Sequence, residues 1–294
     1  MTMKKILVSL SVIVAVGAIV AGATGAFFSD EEVSRGNTFT AGEIDLQIDN
    51  TCYYNGNACV LDTASGISYW GGNREPGNEC GCNWELKDLE NELFFDFNDL
   101  KPGDWEEDTI SFHVGSNDAW VCADVTLASN ADNTCTEPED PDDLAADGIA
   151  CGVGDPNLNG DLAQELNFIW WVDDGDNVLE NDEKLLAPAG ILGDLGVGNT
   201  ATVAIADTSG NAALGDIPVP GGDRFFIGKG FCYGEITPRP VPAGEGQDPT
   251  VDGGFDCDGT LVNNASQTDS STMDIAFRAI QSRNNDSFQC VAPI

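Results

Sequence analysis

The chain is poor in basic residues: 12 lysines and arginines stand against 50 aspartates and glutamates, a formal net charge of −38. It also has a single histidine, His113, in 294 residues. Each shortage excludes a class of function. Nucleic acid and anionic membranes would meet like charge at almost every contact, so neither is an expected partner. A zinc-protease helix places two imidazoles on one face through His-Glu-x-x-His, and one histidine cannot supply that pair. His113 stands between Phe112 and Val114 on the polar side of an alternating stretch, where an exposed side chain is the ordinary outcome. A serine triad has only His113 to use, and no Gly-x-Ser-x-Gly stretch presents a nucleophile. There is no Cys-x-x-Cys pair, and Cys80-Gly81-Cys82 is set too closely for the usual four-ligand zinc spacing. The chain is expected not to be an enzyme.

What is abundant is acid and cysteine. An acidic surface suits divalent cations or salty surroundings, where the screening length falls from about 8 Å at 0.15 M to about 3 Å at 1 M. Hydrophobic residues make up 41% of the chain and six are tryptophan, which argues for a packed core rather than disorder. The acid excess is therefore expected on a solvated surface. The ten cysteines are Cys52, Cys59, Cys80, Cys82, Cys122, Cys135, Cys151, Cys232, Cys257 and Cys290. An even number in an exported chain reads as up to five disulfides. Local pairing of Cys52 with Cys59, and of Cys135 with Cys151, would staple loops; the other partners stay open.

Export is read from the N-terminus. Met1 to Lys5 is a short positive segment, and Ile6 to Ala21 is an apolar run without charge. Thr24-Gly25-Ala26 then offers small residues before a cut between Ala26 and Phe27. Ala21-Gly22-Ala23 is a second place to cut, and a retained membrane anchor is the alternative, although the run falls short of the about 20 residues that span a bilayer. Residues 1–26 are thus expected to be a signal peptide and 27–294 one domain.

The junction Ala26-Phe27-Phe28-Ser29-Asp30 is followed by Asn37-Thr38-Phe39-Thr40-Ala41-Gly42-Glu43-Ile44-Asp45-Leu46. Together they resemble the TasA/camelysin family over residues 3–48. Leu100-Lys101-Pro102-Gly103-Asp104 is similar to that family's turn before a strand, and Ala279 to Asn285 is similar to its closing segment. The resemblance implies export through a SipW-type signal peptidase and an antiparallel β-sandwich of jelly-roll type. It also implies a secreted or cell-surface subunit of extracellular, biofilm-matrix fibres, joined to copies of itself by donor strands. Camelysin relatives are described as metalloendopeptidases, which is the implied alternative activity.

Along the remaining chain, Ile44, Leu46 and Ile48 alternate with polar residues as a half-buried strand. Residues 49–83 read as a stapled surface excursion. Trp84 to Leu93 would place Leu86, Leu89 and Leu93 on one side of a short helix. Pro102-Gly103 makes a turn, and Ile110 to Val114 and Val121 to Leu127 alternate as two strands. Asn130 to Pro156 is acidic and reads as an exposed loop. Asp161 with Gln164 suggests a capping box for one or two helical turns. Leu166 to Val172 is bulky enough for a central strand, and Thr202 to Ala206, Phe225 to Tyr233 and Met273 to Ile280 supply three more. Thr237 to Thr250, with four prolines, is a second long loop. Short strands between Gly, Pro and Asn turns favour an all-β antiparallel sandwich.

Two places carry chemistry. Asp173, Asp174, Asp176, Glu180 and Glu183 set oxygen ligands around Gly175, which suits Ca²⁺ with its six to eight oxygens. The spacing resembles an EF-hand loop, but Val172 takes its first place and Asn177 replaces its glycine. An acidic hairpin tip is the plain alternative. The second place is the segment 27–39, where Phe27, Phe28, Val33 and Phe39 are anchors on a free end. An extended end of this kind can add a strand to a neighbour's sheet, and head-to-tail addition yields a filament rather than a closed ring. The segment folding back on its own domain is the plain alternative here. A monomeric surface binding module completes the set of readings.

Overall fold

The computed structural model describes residues 29–34, 45–90, 92–146, 148, 150, 159–244 and 248–291. The expected export segment, its cut at Ala26 and Phe27, and the anchors Phe28 and Phe39 lie outside these residues, as does Cys151. Val33 is described by its backbone alone.

The chain forms fifteen strands among the described residues, paired antiparallel. One sheet has four: β1 (Ser29–Ser34), β15 (Ser270–Gln281), β8 (Ala119–Ala131) and β11 (Thr200–Ala206), in that order. The larger sheet runs β10 (Leu185–Ile191), β9 (Leu166–Asp173), β12 (Arg224–Tyr233), β7 (Trp105–Val114), β2 (Leu46–Tyr54), β3 (Asn57–Asp62), β4 (Ile67–Trp70) and β5 (Glu79–Cys80). A further strand, β6 (Trp84–Lys87), pairs with β2, and β13 (Glu235–Pro238) with β14 (Phe255–Asp258) makes a separate ribbon.

The two large sheets face each other across the core. Alternate residues point inward: Leu46 and Ile48 from β2, Ile110 and Phe112 from β7, and Ile275 and Phe277 from β15 are all buried in one cluster. The Phe112 and Phe277 rings meet edge to face across the sheets at 4.6 Å. That alternation is the physical origin of the sandwich, because a period of two hides one face of each strand. Strands expected at 110–114, 121–127, 166–172, 202–206, 225–233 and 273–280 all form, several of them longer than expected.

The expected helix at Trp84–Leu93 is absent. Trp84 to Lys87 is strand β6, with Trp84 opposite Asn50 and Lys87 opposite Ile48. Leu89 is buried while Leu86 and Leu93 are exposed, so the three leucines share no face. A free ladder on β2 outweighs the helical spacing. The loop expected at Asn130–Pro156 contains a short helix, α1 (Asp140–Ala146), and buries Glu139 and Asp143. One helical turn, α2 (Leu162–Glu165), follows Asp161 as expected, but the Asp161 side chain does not cap it. The Ala163 amide donates instead to Asn130 Oδ1 at 3.1 Å.

The disulfides correct one expectation. Cys52 bonds Cys82 and Cys59 bonds Cys80, each with Cα atoms 5.9 Å apart, so Cys52 and Cys59 are not partners. The hairpin register brings those two opposite each other. Cys80 and Cys82, two residues apart, each bond one of them, Cys80 the cysteine on β3 and Cys82 the one on β2. Cys122 bonds Cys290, Cys232 bonds Cys257, and Cys135 is also disulfide-bonded.

The acid excess is not only a solvated surface. Glu106, Glu107, Asp108, Asp173 and Glu180 are among the acidic residues that are buried, and Lys229 is the buried basic residue among those described.

Candidate metal centre

Strand β12 sets the geometry. Its inward residues Phe225, Ile227 and Phe231 are large, whereas Gly228 and Gly230 leave the middle of that strand's outer face without side chains. A Cβ at Gly228 would collide with the Trp171 indole, and one at Gly230 with the Phe255 ring. The glycines thus let side chains from neighbouring elements lie flat across β12. Trp171, Ile169, Leu179, Ile236 and Phe255 form a second core on that outer face, covered by the segments after β9 and before β14.

Asp173 ends β9 at the rim of this second core and is 5% exposed. Its Oδ2 accepts from Thr109 Oγ1 at 3.1 Å, from the Gly175 amide at 3.1 Å and from the Asn177 amide at 3.4 Å. Its Oδ1 accepts from Trp171 Nε1 at 3.2 Å. Burial pushes its carboxyl up to about 6, although these donors pull it back.

The five residues expected around Gly175 divide. One carboxylate oxygen from each of Asp173, Asp174 and Glu183 fits within a 4.8 Å group. Glu183 also ties the turn, accepting from the Asp174 amide at 2.9 Å and the Glu180 amide at 2.8 Å. Burial, with Asp173 and Asp174 adding, pushes the Glu183 carboxyl up to about 8. Asp176 and Glu180 lie outside that group. Asp176 Oδ1 accepts from the Val178 amide at 3.0 Å, and Glu180 Oε1 accepts from the Gly244 amide at 2.8 Å.

Sequence reasoning missed Glu107. It lies on β7 with Thr109 on the outer face, and its residue is wholly buried. Neither of its carboxylate oxygens has a hydrogen-bond partner. The carboxylate sits against Gly253, where any Cβ would fall on it. Burial pushes its carboxyl well above the usual range, and Asp252, Asp173 and Asp108 push in the same direction. Asn177, in the same turn as Asp173, is 3% exposed with both amide atoms unpartnered, and holds a φ of 66°.

His113 does not assemble a relay. Ser111 Oγ lies 3.0 Å from Nε2, and Asp49 Oδ2 lies 3.3 Å from the same nitrogen. A serine triad needs the hydroxyl and the carboxylate on opposite ring nitrogens. The ring is partly exposed, in line with its polar-side position.

A family model described as camelysin metallo-endopeptidase matches residues 2–58. That range covers the N-terminal motifs on which the resemblance rests. Among curated proteins, none matches the chain.

Proposed function

We propose that this chain, linked to the TasA/camelysin family by the match over residues 2–58, is an exported structural subunit that assembles head to tail into extracellular or cell-surface fibres. The supporting observation is the position of β1. In this structure residues 29–34 fold back on their own domain, the plain alternative: β1 ends the four-stranded sheet and, among the described residues, is held on one side only, by β15, over the register Ser29↔Ile280 to Ser34↔Ile275. A terminal strand on one ladder can leave its own sheet and fill the same place in a neighbour, which exchanges identical hydrogen bonds. The empty edge of β15 then selects another copy of the chain. On this reading the sandwich is a jelly-roll variant that exchanges its own edge strand for the next subunit's, and Phe27, Phe28, Val33 and Phe39 anchor it. Export by a SipW-type peptidase would free residues 27–39 only outside the cell. At least four disulfides suit an oxidising exterior. No helix among the described residues is long and apolar enough to cross a membrane.

Deleting residues 27–39 from the mature chain should give soluble monomers that form no filaments in negative stain. Adding that segment as a free peptide should raise their melting temperature. Filaments from the truncated chain would overturn the exchange. The description of the matched family favours a second reading, a metal-dependent endopeptidase. Chelator-sensitive casein cleavage by the purified mature chain would establish that reading, and its absence would remove it.

A further inference from the structure

The geometry points to an intramolecular amide bond between Lys229 Nζ and Asp108 Cγ, joining strands β12 and β7 inside the sandwich, with Glu106 as the proton carrier and Asn50 as the donor to the carbonyl oxygen. It is independent of fibre assembly.

The inference starts from the register. Lys229 stands directly opposite Asp108 in the β12–β7 ladder, and Phe231 stands opposite Glu106. Side chains paired in this way leave one face of a sheet with their Cβ atoms about 5 Å apart. The Lys229 ammonium contacts Asp108 Oδ2 and lies 3.3 Å from Glu106 Oε2. Asn50, from β2 on the other side of β7, donates through Nδ2 to Asp108 Oδ1 at 3.2 Å. All four residues are wholly buried. The centre of the Phe95 ring is 3.6 Å from Nζ and that of the Phe94 ring 6.0 Å, so aromatic rings cover the nitrogen. An amine, the carboxyl it touches and a second carboxyl thus share a space that solvent does not reach.

Burial decides what that contact can become. An ion pair in the interior carries the desolvation cost of both charges, whereas a neutral amide in its place carries neither. Contact between the two groups also removes the entropy of bringing them together. In the step, the ammonium passes one proton to Asp108 Oδ2, which leaves a neutral amine beside a neutral acid. Burial raises the Asp108 carboxyl, which favours that transfer. The Nζ lone pair then attacks Cγ and forms the new N–C bond. Negative charge gathers on Oδ1, where the Asn50 amide already donates. Burial, with Asp108 adding, pushes the Glu106 carboxyl well above the usual range, so it holds a proton to give. Glu106 gives that proton to the Oδ2 hydroxyl and takes one back from the nitrogen. The Cγ–Oδ2 bond breaks, water leaves, and Glu106 ends as it began. The step needs no oxidant and no further reactant.

Unlike the disulfides, this bond survives reduction, and that gives the test. The purified chain is unfolded, its disulfides are reduced, and it is digested for peptide mapping by mass spectrometry. Asp108 and Lys229 should appear in one branched peptide, lighter by one water than the two linear peptides together. Trypsin should not cut between Lys229 and Gly230, because an acylated lysine has no charge for the protease to recognise. Glu106→Gln should leave most chains unjoined, and Asp108→Ala should leave all of them unjoined. Linear peptides in the parent, with cleavage after Lys229, overturn the proposal, and so does a branch at Glu106 instead of Asp108. A Glu106→Gln chain joined as completely as the parent overturns the role given to Glu106. If either variant fails to fold, the parent chain decides alone, since its digest is read after unfolding.

Discussion

Glu106, Glu107 and Asp108 are consecutive on β7, are all wholly buried, and meet opposite fates. Glu106 and Asp108 point between the sheets, where the Lys229 ammonium contacts both. Asn50 donates to Asp108 at 3.2 Å, and the Phe95 ring lies 3.6 Å from the same ammonium. Glu107 points to the other face, packs against Gly253, and feels only the like charges of Asp252, Asp173 and Asp108. The inner group carries its own cation in the sequence; the outer group does not. The pleat alone, by sending neighbours to opposite faces, separates a self-contained ionic cluster from a buried acid that has no hydrogen-bond partner.

The largest effect should come from breaking the inner solution. Lys229→Met leaves two carboxylates buried without a counter-charge and should destabilise by about 3–5 kcal/mol in urea unfolding. Loss below about 1 kcal/mol would mean that both acids are already neutral there. The outer face should respond with the opposite sign. Glu107→Met removes a buried carboxylate without a hydrogen-bond partner and should leave stability unchanged or raise it by up to about 3 kcal/mol. A clear loss of stability would show that the Glu107 carboxylate makes a favourable interaction on the outer face.

A smaller effect tests a third acidic group, intermediate in burial. Asp269 accepts from the Asp161 amide at 2.5 Å, yet burial, with Asp132 and Glu139 adding, pushes its carboxyl up to about 7. An acid whose native value is raised binds its proton more tightly folded than unfolded. Its contribution is therefore greatest below the unfolded value of 3.8 and is lost as pH rises towards about 7. Asp269→Asn should flatten the stability profile in that window by on the order of 1 kcal/mol, since the group is half-exposed and screened. A parent profile no steeper than the variant's would remove Asp269 as the source.

Much of this contrast is legible in the sequence only in hindsight. The strands announced themselves wherever apolar residues alternated, as in Ile110 to Val114. The start of the same strand did not, because Glu106, Glu107 and Asp108 look like a solvated turn. The available signal was Lys229, a base inside the bulky run Phe225 to Tyr233, which cannot be buried without acid partners. Glu107 had no such marker: its neighbours Asp173 and Asp252 come from distant segments that only the fold brings together. Asp173, Asp174 and Glu183 were readable because one loop holds them. The failed helix at Trp84 shows the same limit, since leucine spacing cannot reveal that β2 has an open side.

The Cys122–Cys290 disulfide closes 168 residues and ties the segment after β15 back to β8. Cys122 also stands opposite Arg278 in the β8–β15 ladder. In a fibre joined through β1, any pull on one subunit enters the next along β15. Hydrogen bonds can be peeled from an end one at a time, but this covalent tie stops the peeling of β15 from β8 at its C-terminal side. Tension is then shared across the sheet rather than concentrated at one strand. The joint between subunits, and not the subunit itself, becomes the part that yields first.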